Sequence, residues 1–114
     1  MTIVGTGIAS SGGAILVSSN VGAANKTING SAGAALTTTG GRAELIFHQF
    51  GTGSLNVNVP ITGAINVTIT GPSTVDAATI GTSGVVVFNG ANTYTGKTFI
   101  DGAILSISDV SQLG

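Results

Sequence analysis

At 114 residues the chain has the length of one ordinary domain with a single apolar core. Only 6% of its residues are charged, where a typical soluble domain carries about 25%, and the formal net charge of −1 with no basic run excludes the electrostatic footprint of a nucleic-acid binder. The absence of cysteine excludes disulfides and thiolate metal sites, and no apolar run approaches the ~18 residues of a membrane span.

The opening MTIVGTGIASSGG lacks the basic and apolar regions of a signal peptide, so the chain reads either as cytosolic or as a piece of a larger exported protein. From there strand signals run to the end: TIV, AILVS, AELIFHQF, SLNVNVPI, AINVTIT, VVVF, KTFI and ILSI. Each is short and β-branched, and each is bounded by Gly, Asn, Ser or Pro. ELIFHQF has ordinary helix formers, but it is short and no N-cap leads it. Leu55, Val57, Val59 and Ile61 alternate with Asn56, Asn58 and Pro60, and Ile65, Val67 and Ile69 alternate with Asn66, Thr68 and Thr70.

Two all-β architectures fit, an antiparallel sandwich and a parallel solenoid. Asn29-Gly30, Asn89-Gly90 and Asp101-Gly102 would serve as hairpin turns in a sandwich. The low charge and the outward Asn and Thr side chains favour stacked coils, where like residues on successive rungs form hydrogen-bonded ladders.

From Gly84 to Leu105 the chain resembles the autotransporter-associated β-strand repeat, the passenger-associated repeat of bacterial autotransporters. Phe88, Gly90, Asn92, Tyr94, Gly96, Thr98 and Ile100 occupy the positions of an L-x-G-x-N-x-Y-x-G-x-T-x-I pattern, with Leu105 and Ile107 after them. The glycine of the pattern that follows the Ile by three stands one position earlier, as Gly102. The resemblance implies a right-handed parallel β-helix at the cell surface or beyond it. At 20 or more residues per coil, about four to six coils would fit the chain. Repeat-like residues 84–107 would form part of a single segment over 1–114 of a longer exported protein. The expected core is Leu55, Val57, Val59, Ile65, Val67, Ile69, Val86, Phe88, Ile100, Leu105 and Ile107.

Within the same stretch, ANTYTGKT carries the Gly-Lys-Thr ending of a phosphate-binding loop around Lys97. Ala91 stands where the first glycine of that loop belongs, and FIDGAILSI after it is no helix, so phosphate has neither cradle nor helix dipole. Gly90 and Gly96 read instead as turn glycines, Asn92 as an Asx-turn residue, and Tyr94 as a packed ring with a wet hydroxyl. In VGTGIAS, Ser10 replaces the third glycine of a dinucleotide fingerprint, which leaves a Gly-rich turn.

Catalysis finds little support. Glu44 and His48 lie ~13 Å apart along a strand, too far for a dyad. The remaining carboxylates, Asp76, Asp101 and Asp109, each sit by a turn. Catalytic, metal and cofactor residues are therefore expected to be none. The triplets at Asn25, Asn29 and Asn66 that match a glycosylation acceptor are common by chance in so Asn- and Thr-rich a chain. One Tyr, four Phe and no Trp give thin support for a carbohydrate-binding module.

The expected function is a structural β-helix segment of a secreted or surface protein, a passenger, stalk or adhesin scaffold. The alternative is a self-assembling extracellular fibre subunit stacking through open ends, since no polar amphipathic cap stands out at Met1 or Gly114. The expected partners are other copies of the chain or neighbouring coils of the same protein. Ile46, Phe50, Val85, Val87, Phe99 and Ile104 point outward by alternation and form the expected contact surface.

Overall fold

The computed structural model describes residues 2–3, 12–38, 44–72 and 84–114. VGTGIAS (4–10) and Asp76 lie outside these residues. The strands are β1 (Thr2–Ile3), β2 (Gly12–Val17), β3 (Lys26–Ile28), β4 (Thr37–Thr38), β5 (Glu44–Gln49), β6 (Ser54–Val57), β7 (Thr62–Gly63), β8 (Asn66–Thr70), β9 (Val85–Phe88), β10 (Thr93–Tyr94), β11 (Thr98–Asp101) and β12 (Ile104–Ser106).

All of the strand pairs are parallel, which removes the sandwich. Strands β2, β5, β8 and β11 form one four-stranded sheet, and β3, β6, β9 and β12 form another. The third side carries the pairs β1–β4 and β7–β10, joined by a parallel bridge between Leu36 and Ile61. Every third strand thus returns to the same side, and the chain winds through four coils of a three-sided β-solenoid.

A parallel connection has to cross the whole coil before it can pair, so no hairpin turn is needed. Coil lengths differ: His48 meets Thr70, 22 residues on, while Ile61 meets Asn92, 31 residues on. The corners absorb the difference. Residues 50–53 join β5 to β6, whereas Gly102 and Ala103 alone join β11 to β12. Gly102 has φ 63°, a left-handed conformation that glycine adopts at little cost, so its position suits this two-residue corner.

The core lies inside all three sides. Leu36, Leu45, Phe47, Leu55, Val57, Ile61, Ile65, Val67, Ile69, Val86 and Phe88 are buried in one cluster. Phe47 and Phe88 meet edge to face across it, with ring centroids 5.7 Å apart at 61°. Ile100 departs from the expected core and is 55% exposed. Its register partner Ile69 is fully buried, but β11 is an edge strand with no described coil over it. Leu105 and Ile107, on the same last coil, are only partly buried.

Residues Val110–Leu113 form a short 3-10 turn. The Asp109 side chain accepts the Ser111 N–H at 2.8 Å, while Gln112 Oε1 accepts the Asp109 N–H at 3.2 Å. The Ser111 hydrogen bonds hold the Asp109 carboxyl below the ordinary carboxylate range. A polar segment that sequence inspection did not single out therefore packs near β10.

Candidate functional site

The repeat-like residues build the last turn of the solenoid. Each uses its side chain, or the lack of one, against the neighbouring coil. Phe88 fills the core. Gly90 and Gly96 are not among the positive-φ glycines of the described residues, so conformational freedom is not their role. A Cβ on Gly90 would stand 2.8 Å from the Val59 and Pro60 backbone, and one on Gly96 would collide with the Ile65 carbonyl. These glycines let one coil lie directly on the next.

Asn92 does not close an Asx-turn. Only 6% exposed, it shares an inward column with Ile61 and bridges two levels. Its Oδ1 accepts the Ile61 N–H at 2.8 Å, and its Nδ2 donates to the Gln112 carbonyl at 2.5 Å. Two other asparagines satisfy backbone donors one coil away, Asn25 for Ser54 N–H and Asn66 for Lys97 N–H, both at 2.9 Å. The Tyr94 hydroxyl is not left to solvent: it pairs with Thr98 Oγ1 at 2.6 Å. Burial of the ring raises the Tyr94 pKa, and the Thr98 hydrogen bond offsets part of that rise.

An exposed amide ladder runs along the corner after β3, β6 and β9. Asn58 Nδ2 donates to Asn29 Oδ1 at 2.7 Å, and Asn89 Nδ2 donates to Asn58 Oδ1 at 2.8 Å. On the outward face of the β2–β5–β8–β11 sheet, Thr68 donates to Glu44 at 2.5 Å and His48 Nδ1 meets Thr70 Oγ1 at 2.8 Å. The His48 ring stacks over Phe50. Glu44 and His48 thus have separate threonine partners.

Lys97 lies at a coil junction. Its N–H donates to Asn66 and its carbonyl accepts the Val67 N–H at 2.9 Å, while its side chain is exposed. The strand β11 follows at once, so no helix N-terminus faces it. Among the described residues no three His, Cys, Asp or Glu side chains gather into a metal site. A shallow cleft of about 460 Å³ between Gly30–Ala35 and Val59–Pro60 is lined by small and neutral residues.

The six outward apolar residues divide between two sides. Ile46, Phe50 and Phe99 lie on the β2–β5–β8–β11 sheet, where Thr68 separates Ile46 from Phe99. Val85, Val87 and Ile104 lie on the other four-stranded sheet, with Val85 beside Ile104. Phe50 and Phe99 are 40% and 46% exposed, and the other four are half-buried.

No family model matches the chain, and no solved structure matches it. It is 35% identical over 105 residues to the adhesin BmaC autotransporter of Brucella suis biovar 1 (strain 1330). The chain is related to an autotransporter adhesin. The match covers 90% of this chain and 3% of that protein, so the chain corresponds to a small part of its relative's length. The relationship supports an extracellular or cell-surface location, in keeping with a parallel β-solenoid. No helix among the described residues is long and apolar enough to cross a membrane.

Proposed function

We propose that this chain is a structural length of solenoid in a surface-exposed autotransporter-type protein, a stalk or scaffold that holds other parts away from the cell, with no catalytic role. The observation that carries this reading is where the polar side chains are spent. Asn25, Asn29, Asn58, Asn66, Asn89 and Asn92 bond to neighbouring coils. Glu44 and His48 are likewise paired across rungs. A binding or catalytic face keeps convergent polar groups for its ligand; these groups serve the stack.

The test is retention of the purified chain on immobilised cell-surface glycans and extracellular-matrix proteins. A stalk shows no saturable binding. Saturable binding at micromolar concentration, lost when outward residues such as His48 and Phe50 are replaced, would contradict the scaffold role.

The fibre-subunit reading is favoured by one observation, the open β11 edge with Ile100 uncovered. Negative-stain images of the purified chain separate the two readings: discrete particles support a stalk, and continuous fibres support assembly.

A further inference from the structure

The two ends of the stack are unlike. At one end β11 and β12 are edge strands, and the inward residues above the core are Ile100, Leu105 and Ile107, all apolar. At the other end the edge strands are β2 and β3, and β3 begins with Lys26. Lys26 is in register with Leu55, Leu55 with Val86, and Val86 with Leu105. Leu55 and Val86 are 2% and 0% exposed, so this column runs through the core. Its last member is an exposed lysine. Ile28, two residues on, keeps the apolar pattern by pairing with Val57.

We propose that Lys26 is a gatekeeper that stops another copy of the chain from stacking beneath coil one. The inference rests on the register of the solenoid and is independent of the stalk role. In head-to-tail stacking that continues the columns, the partner's Leu105 would lie against Lys26 and the partner's Ile107 against Ile28. The second contact is favourable. The first buries an ammonium against a leucine, and a charge moved from water into an apolar site without a partner is strongly disfavoured. An inward-pointing charge on an edge strand is a known way to keep sheets from joining end to end. Lys97 carries the same charge at a coil junction, outside the core columns, and has no such effect.

The experiment compares the wild-type chain with K26L, K26A, K26R and K97L by sedimentation velocity over a concentration series, with negative-stain imaging. Growth beyond two copies needs both ends, so it reports on the β3 edge whatever the opposite end does. Wild type, K26R and K97L are expected not to grow beyond two copies. K26L and K26A are expected to form linear chains, at concentrations on the order of a hundredfold below any at which wild type does. Because K26A adds no large apolar group, its growth would assign the block to the charge. Failure of both K26L and K26A to grow, or growth of K26R or wild type as readily, would overturn the proposal. Circular dichroism on each variant confirms that the strands persist.

Discussion

Asn92 Oδ1 accepts the backbone N–H of Ile61 across 2.8 Å, although the two residues stand 31 positions apart. Ile61 itself is fully buried, so this N–H has no access to water. The same side chain donates to Gln112, which makes one asparagine the link between two coil levels. Replacing Asn92 with Ala strands a buried donor and a buried acceptor, and about 1–3 kcal/mol of stability should go with each group left unpaired. Urea unfolding of N92A measures it. A loss below ~0.5 kcal/mol would mean that water satisfies both groups.

Gly90 and Gly96 should tolerate alanine poorly, because the added methyl meets backbone of the next coil and backbone cannot swing aside. G90A and G96A should each cost about 1–3 kcal/mol as overpacking. Gly33 offers the contrast: at φ 83° with nothing within 4 Å of an added Cβ, G33A bears only the left-handed backbone cost of roughly 1–2 kcal/mol. Denaturation midpoints that rank G33A as the most damaging of the three would show that close coil approach is not what these positions require.

Tyr94 is the single tyrosine, so its ionisation is read directly from ultraviolet absorbance during alkaline titration. Its pKa is raised, chiefly by burial. The folded chain then holds the phenolic proton at a pH where the unfolded chain has lost it. Stability from this group is complete below the unfolded value of about 10 and falls as pH rises towards the folded value. The Y94F variant should lose that alkaline dependence. It should also lose the Thr98 hydrogen bond, about 0.5–1.5 kcal/mol.

Lys97→Ala should leave stability within about 0.5 kcal/mol of wild type, since only the backbone of Lys97 takes part in the stack. Millimolar ATP with magnesium should raise the unfolding midpoint of neither protein. A rise in wild type that disappears in K97A would reveal a phosphate site.

Strict alternation from Leu55 to Ile61 shows which side chains face inward but hides the corner at 58–60 that separates β6 from β7. In a solenoid the core lies inside every side, so the inward period runs on around the corner. The strands β4, β7 and β10 are two residues each, too short for any periodic signal. Phe88, Asn92 and Tyr94 stood out by spacing, yet the partners of Asn92 and the backbone beneath Gly90 and Gly96 depend on register between coils of unequal length. No local pattern contains that register. The exposure of Ile100 has the same origin: its own strand marks it as inward, and only the stack shows that no described coil covers it.

The central claim is a parallel stack whose outward column on one sheet reads Thr27, Asn56, Val87 and Ser106. The chain has no cysteine, so engineered pairs report this register without background. Adjacent strands lie ~4.8 Å apart, within disulfide range for facing residues. In the double variants N56C/V87C and V87C/S106C, mild oxidation should form an intramolecular bond in each, with monomer mass and strand spectrum kept, while T27C/S106C, three rungs apart, should stay reduced. Failure of both adjacent pairs to close, or ready closure of T27C/S106C within one molecule, would contradict the stacked-coil account.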